Sequence, residues 1–466
     1  MRAEGGPYTT TDIVRACTGT LLRGEHGTTF DAISTDSRDI RKNDLFVPLR
    51  GTNFDGHDFL FPALEAGARG SLVDRDADRE IPENLTNLVL IQVQDTLRAL
   101  SDLASAHRQK YHTPLIAVTG SSGKTTVKEM IAAVLRRSHR PLVSEGNLNN
   151  LIGLPMTVLN MGRRHTAAVV EAGINRIGEM ESLALAASPN TAVITTIGPV
   201  HLEGLKSMEN IAREKFMLVR ALSSEGTAVL PHNERYLAPF VRDCKARVVT
   251  FGVENGDFRA SEIRHGQPTV FEMICPAGRQ EIVLRIQGLH NVSNALAAAA
   301  ASLSVGMSLR DVAEGLNDCM PPALRMEMVS LPGKRSLMRD CYNANPQSVN
   351  AALEVLASGS PGSNKLAILA DMMELGEHTE RLHEEVGRRS AELGIQRIIF
   401  VGAFGRFFSK GFISAGGDRR VLNVVPDKEA AWEVISPDLK NFEIILVKGS
   451  RAMKMEFIAD RILQEN

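Results

Sequence analysis

Apolar residues along the chain follow two different spacings. In some stretches they form a short uninterrupted run, as in Leu115–Thr119. In others they recur at every third or fourth position, which is the spacing of one face of an α-helix. Directly after that run, such a helical pattern is formed by Val127, Met130, Ile131, Val134 and Leu135. This order predicts a buried strand that leads into a helix, and its repetition along the chain predicts an α/β fold with parallel sheets.

The length of the chain indicates that these strands and helices form several domains. A chain of 466 residues is too long for one ordinary hydrophobic core and favours about three domains. A plausible hinge lies at His112–Pro114, and a proline-containing linker lies at Met320–Pro322. The predicted domains are therefore residues 1–111, 112–321 and 322–466.

The predicted N-terminal domain is small and of mixed α/β type. Its apolar runs Leu45–Leu49 and Leu88–Val93 predict strands. The stretch Thr96–Lys110 predicts a helix that leads to the hinge.

The predicted middle domain repeats the alternation of strands and helices. Strands are expected at Ala167–Val170 and Ala192–Thr196, and short β-like runs are spread over residues 231–285. An alanine-rich helix is expected at Ser293–Leu303, and Ser308–Asp311 is expected to cap one last helix. This alternation favours a parallel sheet with helices on both faces.

The last domain has the most regular alternation and is predicted to be doubly wound and Rossmann-like. Its expected strands are Lys365–Ala370, Arg397–Val401, Val421–Val425 and Phe442–Lys448. A helix is predicted to begin at Asn345 and Pro346, a capping residue followed by proline. Ligands of such folds bind outside the carboxyl ends of the strands. Lys448–Arg451 is therefore either an anion site or an ordinary strand-to-helix turn with solvated charges.

Composition and charge exclude several classes of protein. Lys and Arg number 53 against 55 Asp and Glu, so the net charge is −2, which argues against broad attraction to nucleic acid or membranes. The five cysteines show no CxxC spacing, so neither a disulfide framework nor a zinc site is expected. We recognise no signal peptide and no apolar run of membrane-spanning length. We expect a cytoplasmic protein.

The segment between the strand predicted at Leu115–Thr119 and the helix that follows it has the composition of a phosphate-binding loop. After Thr119 it consists of Gly120, Ser121, Ser122, Gly123, Lys124, Thr125 and Thr126. Glycines let the backbone approach a phosphate closely, and the loop amides and the helix N-terminus face the anion. Lys124 can reach the outer phosphates, and the Thr125 hydroxyl can ligate Mg²⁺. The usual pattern has a further glycine where this chain has Val118, so a Gly-rich turn with an incidental lysine is the alternative.

Three residues of the middle domain are candidates beside this loop. Glu171 ends a predicted strand, so its carboxylate is expected at the sheet edge that carries Lys124, where it can hold Mg²⁺; an ordinary polar strand end is the alternative. His201 follows another apolar run and can ligate a metal or hold a water, although a lone loop histidine usually has no such role. Lys215 lies in a predicted helix that opens near Ser207, and its chemistry alone favours a solvated surface charge.

Two further polar clusters adjoin predicted helices. Asn291 and Asn294 introduce the alanine-rich helix, where they either cap it or contact an adenine edge; capping is favoured by the residues alone. In the last domain Asp340, Tyr342 and Lys448 are all expected at one edge of the predicted sheet, which turn chemistry alone does not explain.

Taken together, these motifs resemble the ATP-dependent Mur ligase family over nearly the whole chain. The glycine-rich loop is similar to the family's shorter GxxGK[ST]T version, which accounts for Val118. In the family's order and approximate spacing there follow Glu171–Gly173, His201, Lys215, His290–Asn294 and Arg325. The segment Phe216–Leu218 departs from relatives, which often carry a glycine and an acidic residue after the lysine.

Other motifs resemble those of one member of the family, the one that adds a dipeptide. They are Gly146–Asn150, Asp340–Pro346, Asp371–Gly376 and Lys448–Arg451. In the N-terminal domain, Ser34–Arg38 resembles the family's uridine-nucleotide site, and Gly56–Phe59 also fits the pattern of that domain.

The resemblance implies an amide-bond ligase of cytoplasmic peptidoglycan precursor synthesis, with ATP and Mg²⁺ as cofactors. ATP would phosphorylate the terminal carboxylate of UDP-N-acetylmuramoyl-tripeptide. The amine of D-alanyl-D-alanine would attack the acyl phosphate, and ADP and phosphate would be the products. A sibling ligase that adds a single amino acid is one alternative, and a P-loop phosphotransferase is another.

The resemblance also implies roles for individual residues. The implied catalytic residues are Lys124, His201, Lys215 and Arg325. The implied ATP-binding residues are Thr119, Gly120, Ser121, Ser122, Gly123, Lys124, Thr125, Thr126, His290, Asn291, Asn294, Arg325, Asp340 and Tyr342. The implied substrate-binding residues are Ser34, Thr35, Asp36, Ser37, Arg38, Asn147, Asn149, Asn150, Asn343, Asn345, Lys448, Ser450 and Arg451. The implied metal ligands are Thr125, Glu171, His201 and a carbamylated Lys215.

The expected partners are therefore the two substrates, with no nucleic-acid or membrane partner, and we expect a monomer. The third residue of the tripeptide, which differs among bacteria, is left open by the sequence.

Overall fold

Three six-stranded sheets follow one another along the chain. The computed structural model describes residues 1–51, 53–76, 88–359 and 362–465. Within these ranges, no helix combines the length and the hydropathy needed to cross a membrane. The five cysteines are free.

The first sheet is mixed, with parallel pairings inside and an antiparallel pairing at each end. In spatial order its strands are Arg2–Ala3, Ile33–Ser34, Leu45–Phe46, Gly70–Asp74, Val89–Val93 and Thr20–Arg23. A two-stranded ribbon and three helices accompany it: Tyr8–Thr9 with Thr29–Phe30, and Thr10–Cys17, Leu60–Glu65 and Thr96–Arg108. The predicted mixed α/β character is confirmed. The predicted strand Leu45–Leu49 ends earlier, at Phe46, close to Pro48, which has no N–H for a sheet hydrogen bond.

The second sheet is entirely parallel. In spatial order its strands are Pro141–Val143, Ala167–Glu171, Leu115–Thr119, Thr191–Ile194, Thr227–Pro231 and Arg247–Phe251. The strand that precedes the glycine-rich loop therefore lies inside the sheet, between the strand that ends at Glu171 and the strand Thr191–Ile194. This order brings the loop and Glu171 to the same edge, as the sequence predicts.

Helices cover both faces of the second sheet, and a small antiparallel sheet follows it. The helices are Lys124–Leu135, Gly153–Leu159, Glu179–Ala187, Leu202–Leu205, Met208–Arg220, Ala238–Val241, Leu289–Ser304 and Leu309–Asp318. The antiparallel strands are Arg259–Arg264, Thr269–Cys275 and Gly278–Leu284, where the sequence predicts short β-like runs. Ser308 accepts a hydrogen bond from Asp311 N and caps the last helix, as predicted.

The third sheet is parallel except for one antiparallel strand at its edge. In spatial order its strands are Glu327–Leu331, Arg335–Asp340, Ile444–Lys448, Lys365–Ala370, Arg397–Val401 and Leu422–Val425. Its helices are Pro346–Ala357, Thr379–Glu392, Gly405–Ser414, Lys428–Ile435 and Glu456–Gln464. Two predicted strands match their observed bounds, and the other two begin one or two residues later than predicted.

Side chains of the third sheet alternate between two apolar clusters, one on each face. Leu366 and Ile368 belong to one cluster and Ala367 and Leu369 to the other. Because successive side chains of a strand point to opposite faces, both faces of the sheet are covered. This is the predicted doubly wound arrangement, and it leaves the carboxyl ends of the strands for a ligand.

Candidate active site

The glycine-rich loop connects the strand Leu115–Thr119 to the helix Lys124–Leu135. Gly120 and Gly123 have φ values of 148° and 82°, which side chains rarely tolerate. A Cβ atom at Gly120 would also collide with Thr195 Oγ1. Val118 is fully buried within the strand, so the turn begins at Gly120 and needs no glycine at position 118.

Hydrogen bonds hold the loop to Thr196, which follows the neighbouring strand Thr191–Ile194, and the first amides of the helix Lys124–Leu135 remain available to an anion. Ser121 N donates to Thr196 O at 2.9 Å, and Ser122 N donates to Thr196 Oγ1 at 3.0 Å. Gly123, which precedes the helix, provides no side-chain cap. The first amides of a helix lack intrahelical partners, so an anion at this end would receive several N–H donors.

Two lysines converge on one carbonyl of this loop. Lys124 Nζ donates to Gly120 O at 2.9 Å, and Lys215 Nζ donates to the same oxygen at 3.0 Å. Lys215 is 1% exposed, so the surface position that its residue chemistry favoured is wrong. Its helix, Met208–Arg220, buries one face against the sheet, and Lys215 lies on that face.

The same surroundings shift the pKa of both ammonium groups. Burial lowers the pKa of Lys124, and the Arg325 guanidinium lowers it further, while Glu171 opposes the shift. Burial also lowers the pKa of Lys215 well below its ordinary value, and the neighbouring charge of Lys124 adds to the effect. The amine of Lys215 is therefore biased toward its neutral form.

Glu171 is buried beside the phosphate loop and receives two hydrogen bonds. Thr125 Oγ1 donates to Glu171 Oε2 at 2.7 Å, and Asn149 Nδ2 donates to Glu171 Oε1 at 2.7 Å. A hydroxyl and a carboxylate next to a phosphate site are oxygen ligands of the kind that Mg²⁺ prefers. The described residues contain no group of three or more His, Cys, Asp or Glu that could hold a metal ion, so phosphate oxygens and waters would have to complete such a site.

His201 lies between the central sheet and the C-terminal domain. It is the residue before the short helix Leu202–Leu205 and has φ 49°. Its Nδ1 contacts the carboxylate of Glu374, and this contact lowers the pKa of Glu374. Glu374 belongs to the motif Asp371–Gly376, to which the sequence assigned no residue role.

The asparagines of the alanine-rich helix are not its caps. The helix begins at Leu289, four residues earlier than predicted, and Gly288 precedes it. Asn291 Nδ2 donates to Gln287 O at 2.7 Å, and Asn294 Nδ2 donates to Asn291 Oδ1 at 2.9 Å. The side chain of Asn294 packs against the phosphate loop, since a Cβ atom at Gly123 would lie 2.5 Å from Asn294 Oδ1.

The C-terminal domain adds an ion pair at the ends of two neighbouring strands. Asp340 and Lys448 are register partners in the parallel sheet, and Lys448 Nζ donates to Asp340 Oδ2 at 2.6 Å and to Asn343 O at 3.0 Å. The Arg325 guanidinium lies 4.1 Å from the centre of the Tyr342 ring. The predicted edge cluster is therefore present. Burial lowers the pKa of the adjacent His290 to about 4, which keeps its imidazole neutral at pH 7.

A cavity of about 640 Å³ brings most of the predicted site residues together. Those that line it are Ser121, Ser122, Gly123, Lys124, Thr125, Thr126, Asn147, Asn149, Asn150, Glu171, His201, His290, Asn291, Asn294, Arg325, Asp340, Tyr342, Asn343, Asn345, Lys448 and Arg451. Met326, Gln347 and Ser348 also line it, and their place in the site was not predicted from the sequence. Gln347 and Ser348 follow the predicted helix start at Pro346. Their position on the first turn of that helix, at the carboxyl end of the sheet, is the sequence feature that could have identified them as site residues.

The remaining predicted residues lie outside the cavity. Thr119 and Gly120 lead into the phosphate loop, Lys215 is buried against Gly120 O, and Ser450 is buried in the C-terminal domain. Ser34, Thr35, Asp36, Ser37 and Arg38 form a separate turn in the N-terminal domain.

This N-terminal turn is stabilised by its own charges. Asp36 Oδ1 accepts from Arg38 N at 3.0 Å and from Arg38 Nε at 2.9 Å. The Arg38 guanidinium lowers the pKa of Asp36 to about 2. The Arg38 side chain is 88% exposed and is available to a ligand.

Three family models together match most of the chain. "Mur ligase family, catalytic domain" matches residues 29–108. "Mur ligase middle domain" matches residues 118–302, and "Mur ligase, glutamate ligase domain" matches residues 324–451.

Similar proteins cover nearly the full length of the chain. A UDP-N-acetylmuramoyl-tripeptide–D-alanyl-D-alanine ligase from Bacillus subtilis is 34% identical over 457 residues, which are 98% of each chain. The Escherichia coli ligase of the same name is 36% identical over 446 residues, 94% of each chain. A crystal structure of MurF from Acinetobacter baumannii superposes with a TM-score of 0.91 at 31% identity and covers 99% of this chain and 100% of that one.

Proposed function

We infer that this chain, which belongs to the Mur ligase family, is the ATP-dependent ligase that joins D-alanyl-D-alanine to UDP-N-acetylmuramoyl-tripeptide. The observation that carries this assignment is the full-length similarity to ligases of that name. The cavity agrees with it, because the phosphate loop and three cationic residues of the C-terminal domain, Arg325, Lys448 and Arg451, line the same space. The similarity favours this activity over a sibling ligase that adds one amino acid and over a simple phosphotransferase.

The proposed reaction has two steps. An oxygen of the tripeptide's terminal carboxylate attacks the γ-phosphorus of ATP, and ADP leaves. The amine of D-alanyl-D-alanine then attacks the carbonyl carbon of the acyl phosphate, phosphate leaves, and the amine loses one proton. Phosphoryl transfer depends mainly on positioning and charge neutralisation. We assign that neutralisation to Lys124 on the loop and to Arg325, which lies close enough to lower the pKa of Lys124.

ATP is expected to bind across the two domains. We assign its phosphates to Thr119–Thr126 and its nucleoside to five residues of the middle and C-terminal domains that line the same cavity. The latter are His290, Asn291, Asn294, Asp340 and Tyr342. The packing of Asn294 against Gly123 supports this assignment because it joins the nucleoside side of the cavity to the phosphate loop.

We assign Mg²⁺ to two positions. Thr125 and Glu171, whose oxygens lie 2.7 Å apart, would hold one ion, and His201 and a carbamylated Lys215 would help hold a second. Bound Mg²⁺ neutralises phosphate charge during transfer. Asn149 keeps its assignment to the substrate site, and its hydrogen bond to Glu171 also orients the first metal ligand.

The UDP moiety is assigned to Ser34–Arg38, where Arg38 is exposed. The dipeptide side is assigned to the polar residues of the middle and C-terminal domains, namely Asn147, Asn149, Asn150, Asn343, Asn345, Lys448, Ser450 and Arg451. We further propose the domain boundaries 1–111, 112–321 and 322–466, a cytoplasmic location that fits the five free cysteines, and a monomer that binds neither nucleic acid nor membranes.

Product analysis tests the assignment. Purified protein is incubated with ATP, Mg²⁺ and a small panel of UDP-muramoyl peptides and amines, and the products are identified by mass. We expect the amide of the tripeptide with D-alanyl-D-alanine, together with ADP and phosphate. The control is Lys124→Ala, which should fold and lose about 10²–10³-fold in rate, the usual cost of removing a preorganised charge-stabilising group. AMP and pyrophosphate, or joining of a free amino acid only, would contradict the assignment.

A further inference from the structure

The loop Asp371–Gly376 of the C-terminal domain seats on the central domain next to His201. The Glu374 carboxylate contacts His201 Nδ1. Beside this contact Glu203 N donates to Glu374 O at 3.3 Å. A Cβ atom at Gly376 would lie 3.3 Å from Glu203 Cα, so the two backbones approach closely here.

The loop is fixed from its own side by two buried side chains. Met372 N donates to His383 Nε2 at 3.1 Å, and Met373 N donates to Ser450 Oγ at 2.9 Å. Because His383 and Ser450 are both buried, the framework of the C-terminal domain sets the position of Glu374. Ser450, which the family resemblance assigns to the substrate, therefore also anchors this loop.

Both members of the contact have an unusual backbone conformation. Glu374 has φ 63° and His201 has φ 49°. Non-glycine residues adopt this left-handed region rarely, and such positions concentrate at functional sites because surrounding structure must stabilise them.

The contact determines which ring nitrogen of His201 is available. An ionised carboxylate can only accept a hydrogen bond, so Nδ1 carries the proton and Nε2 is left for a ligand. A carboxylate that is hydrogen-bonded to a metal-binding histidine fixes the tautomer and the orientation of the ring. We propose that Glu374 is a positioning residue that fixes His201 for Mg²⁺ when the C-terminal domain is seated. This inference rests on the proposed function, in which His201 is a metal ligand.

Mn²⁺ titration of the full chain with a non-hydrolysable ATP analogue tests the proposal, with bound Mn²⁺ followed by electron paramagnetic resonance. Glu374→Ala should weaken the weaker of two Mn²⁺ sites about tenfold, the lower end of what loss of such a partner costs. Glu374→Gln keeps an oxygen that accepts from Nδ1 and should fall between wild type and Glu374→Ala. The matched control is Glu377→Ala directly after this loop, where the side chain is 87% exposed.

Activity and stability separate positioning from a structural role. Glu374→Ala should lower kcat and leave the KM for the UDP-substrate unchanged. The melting temperature should match that of Glu377→Ala, because exposed ion pairs contribute little to stability and the Glu374 side chain is 55% exposed.

Three results would overturn the proposal. They are Mn²⁺ binding equal to that of the control, a loss of stability with a parallel rise in KM, and a wild-type chain that binds only one Mn²⁺. Failure of the wild-type chain to form any amide would instead reject the proposed function, so the two failures are distinguishable.

Discussion

At the scale of single residues, two ammonium groups share one acceptor behind the phosphate loop. Lys124 Nζ and Lys215 Nζ both donate to Gly120 O, and two charged amines at one carbonyl repel each other. The conflict is relieved if Lys215 is neutral, and burial and Lys124 both lower its pKa in that direction. A neutral amine can add CO₂ at nitrogen and release a proton, which gives a carbamate anion next to Lys124.

Replacement of Lys215 distinguishes this arrangement from a purely structural lysine. We expect Lys215→Ala to lose about 10²–10³-fold in kcat, comparable to the loss of one preorganised charged group, and to recover part of it with added formate or acetate. Initial rates at saturating substrates, with and without the carboxylate, measure both effects. Arg213→Ala, on the solvent side of the same helix, is the matched control. Full activity of Lys215→Ala would remove the second metal's proposed ligand.

Residue identity alone predicted part of this chemistry. The proximity of Lys124 and Glu171 follows from their places after neighbouring strands, and the sheet order brings them together as expected. The burial of Lys215 was not predictable from its helix, because the acceptor Gly120 O lies 95 positions earlier in the chain. Only the family resemblance singled that lysine out.

At the scale of elements, the junction between strand and helix requires a glycine at position 123. Its φ of 82° is strained for any side chain, and a Cβ atom would lie 2.5 Å from Asn294 Oδ1. We expect Gly123→Ala to displace the loop and raise the Kd for an ATP analogue at least about tenfold, as expected when a charge-assisted hydrogen bond worth about 1.5–3 kcal/mol is lost. Isothermal titration calorimetry measures this Kd.

The control for Gly123→Ala separates backbone strain from collision. Gly306 has φ 92° and no heavy atom within 4 Å of a Cβ atom. Gly306→Ala should therefore lower the melting temperature through strain alone and leave the affinity for the ATP analogue unchanged. Equal nucleotide affinities for the two variants would show that the collision with Asn294 does not matter.

Helices and strands that have a capping residue or a clear apolar pattern in the sequence were predicted well, and those that lack such features were not. Asn345 caps its helix in a capping box with Ser348, and Pro346 follows as the sequence indicated. The hairpin Glu327–Leu331 and Arg335–Asp340 was missed as a pair of strands. Its residues are mixed polar and apolar, and its antiparallel edge position depends on pairing with a strand more than 100 residues away.

At the scale of the whole molecule, the cavity exists only where two domains meet. The sequence predicted the order of the motifs and the edge of each sheet that carries them. It did not predict the seating of one domain on another, because that depends on contacts such as His201 with Glu374, which lie 173 positions apart. The segment Ser34–Arg38, which we assign to the UDP moiety, does not line the cavity, so we expect a change in the cavity to affect phosphoryl transfer more than the binding of the UDP moiety.

Arg325 tests this division because it lies just after the linker between two domains. Its guanidinium stacks on Tyr342 and contributes to the lowered pKa of Lys124. We expect Arg325→Ala to lower kcat about 10²-fold, as expected for loss of a group that stabilises transition-state charge. The Kd for the UDP-substrate should change less than about twofold, because Ser34–Arg38 is untouched and sites without shared contacts act independently.

Steady-state kinetics and calorimetry with the UDP-substrate alone measure the two effects. Arg310→Ala, whose side chain is 86% exposed, should alter neither. If Arg325→Ala instead weakened UDP-substrate binding as strongly as it lowered turnover, Arg325 would be needed to hold the substrate, and phosphoryl transfer would not be separable from binding in this molecule.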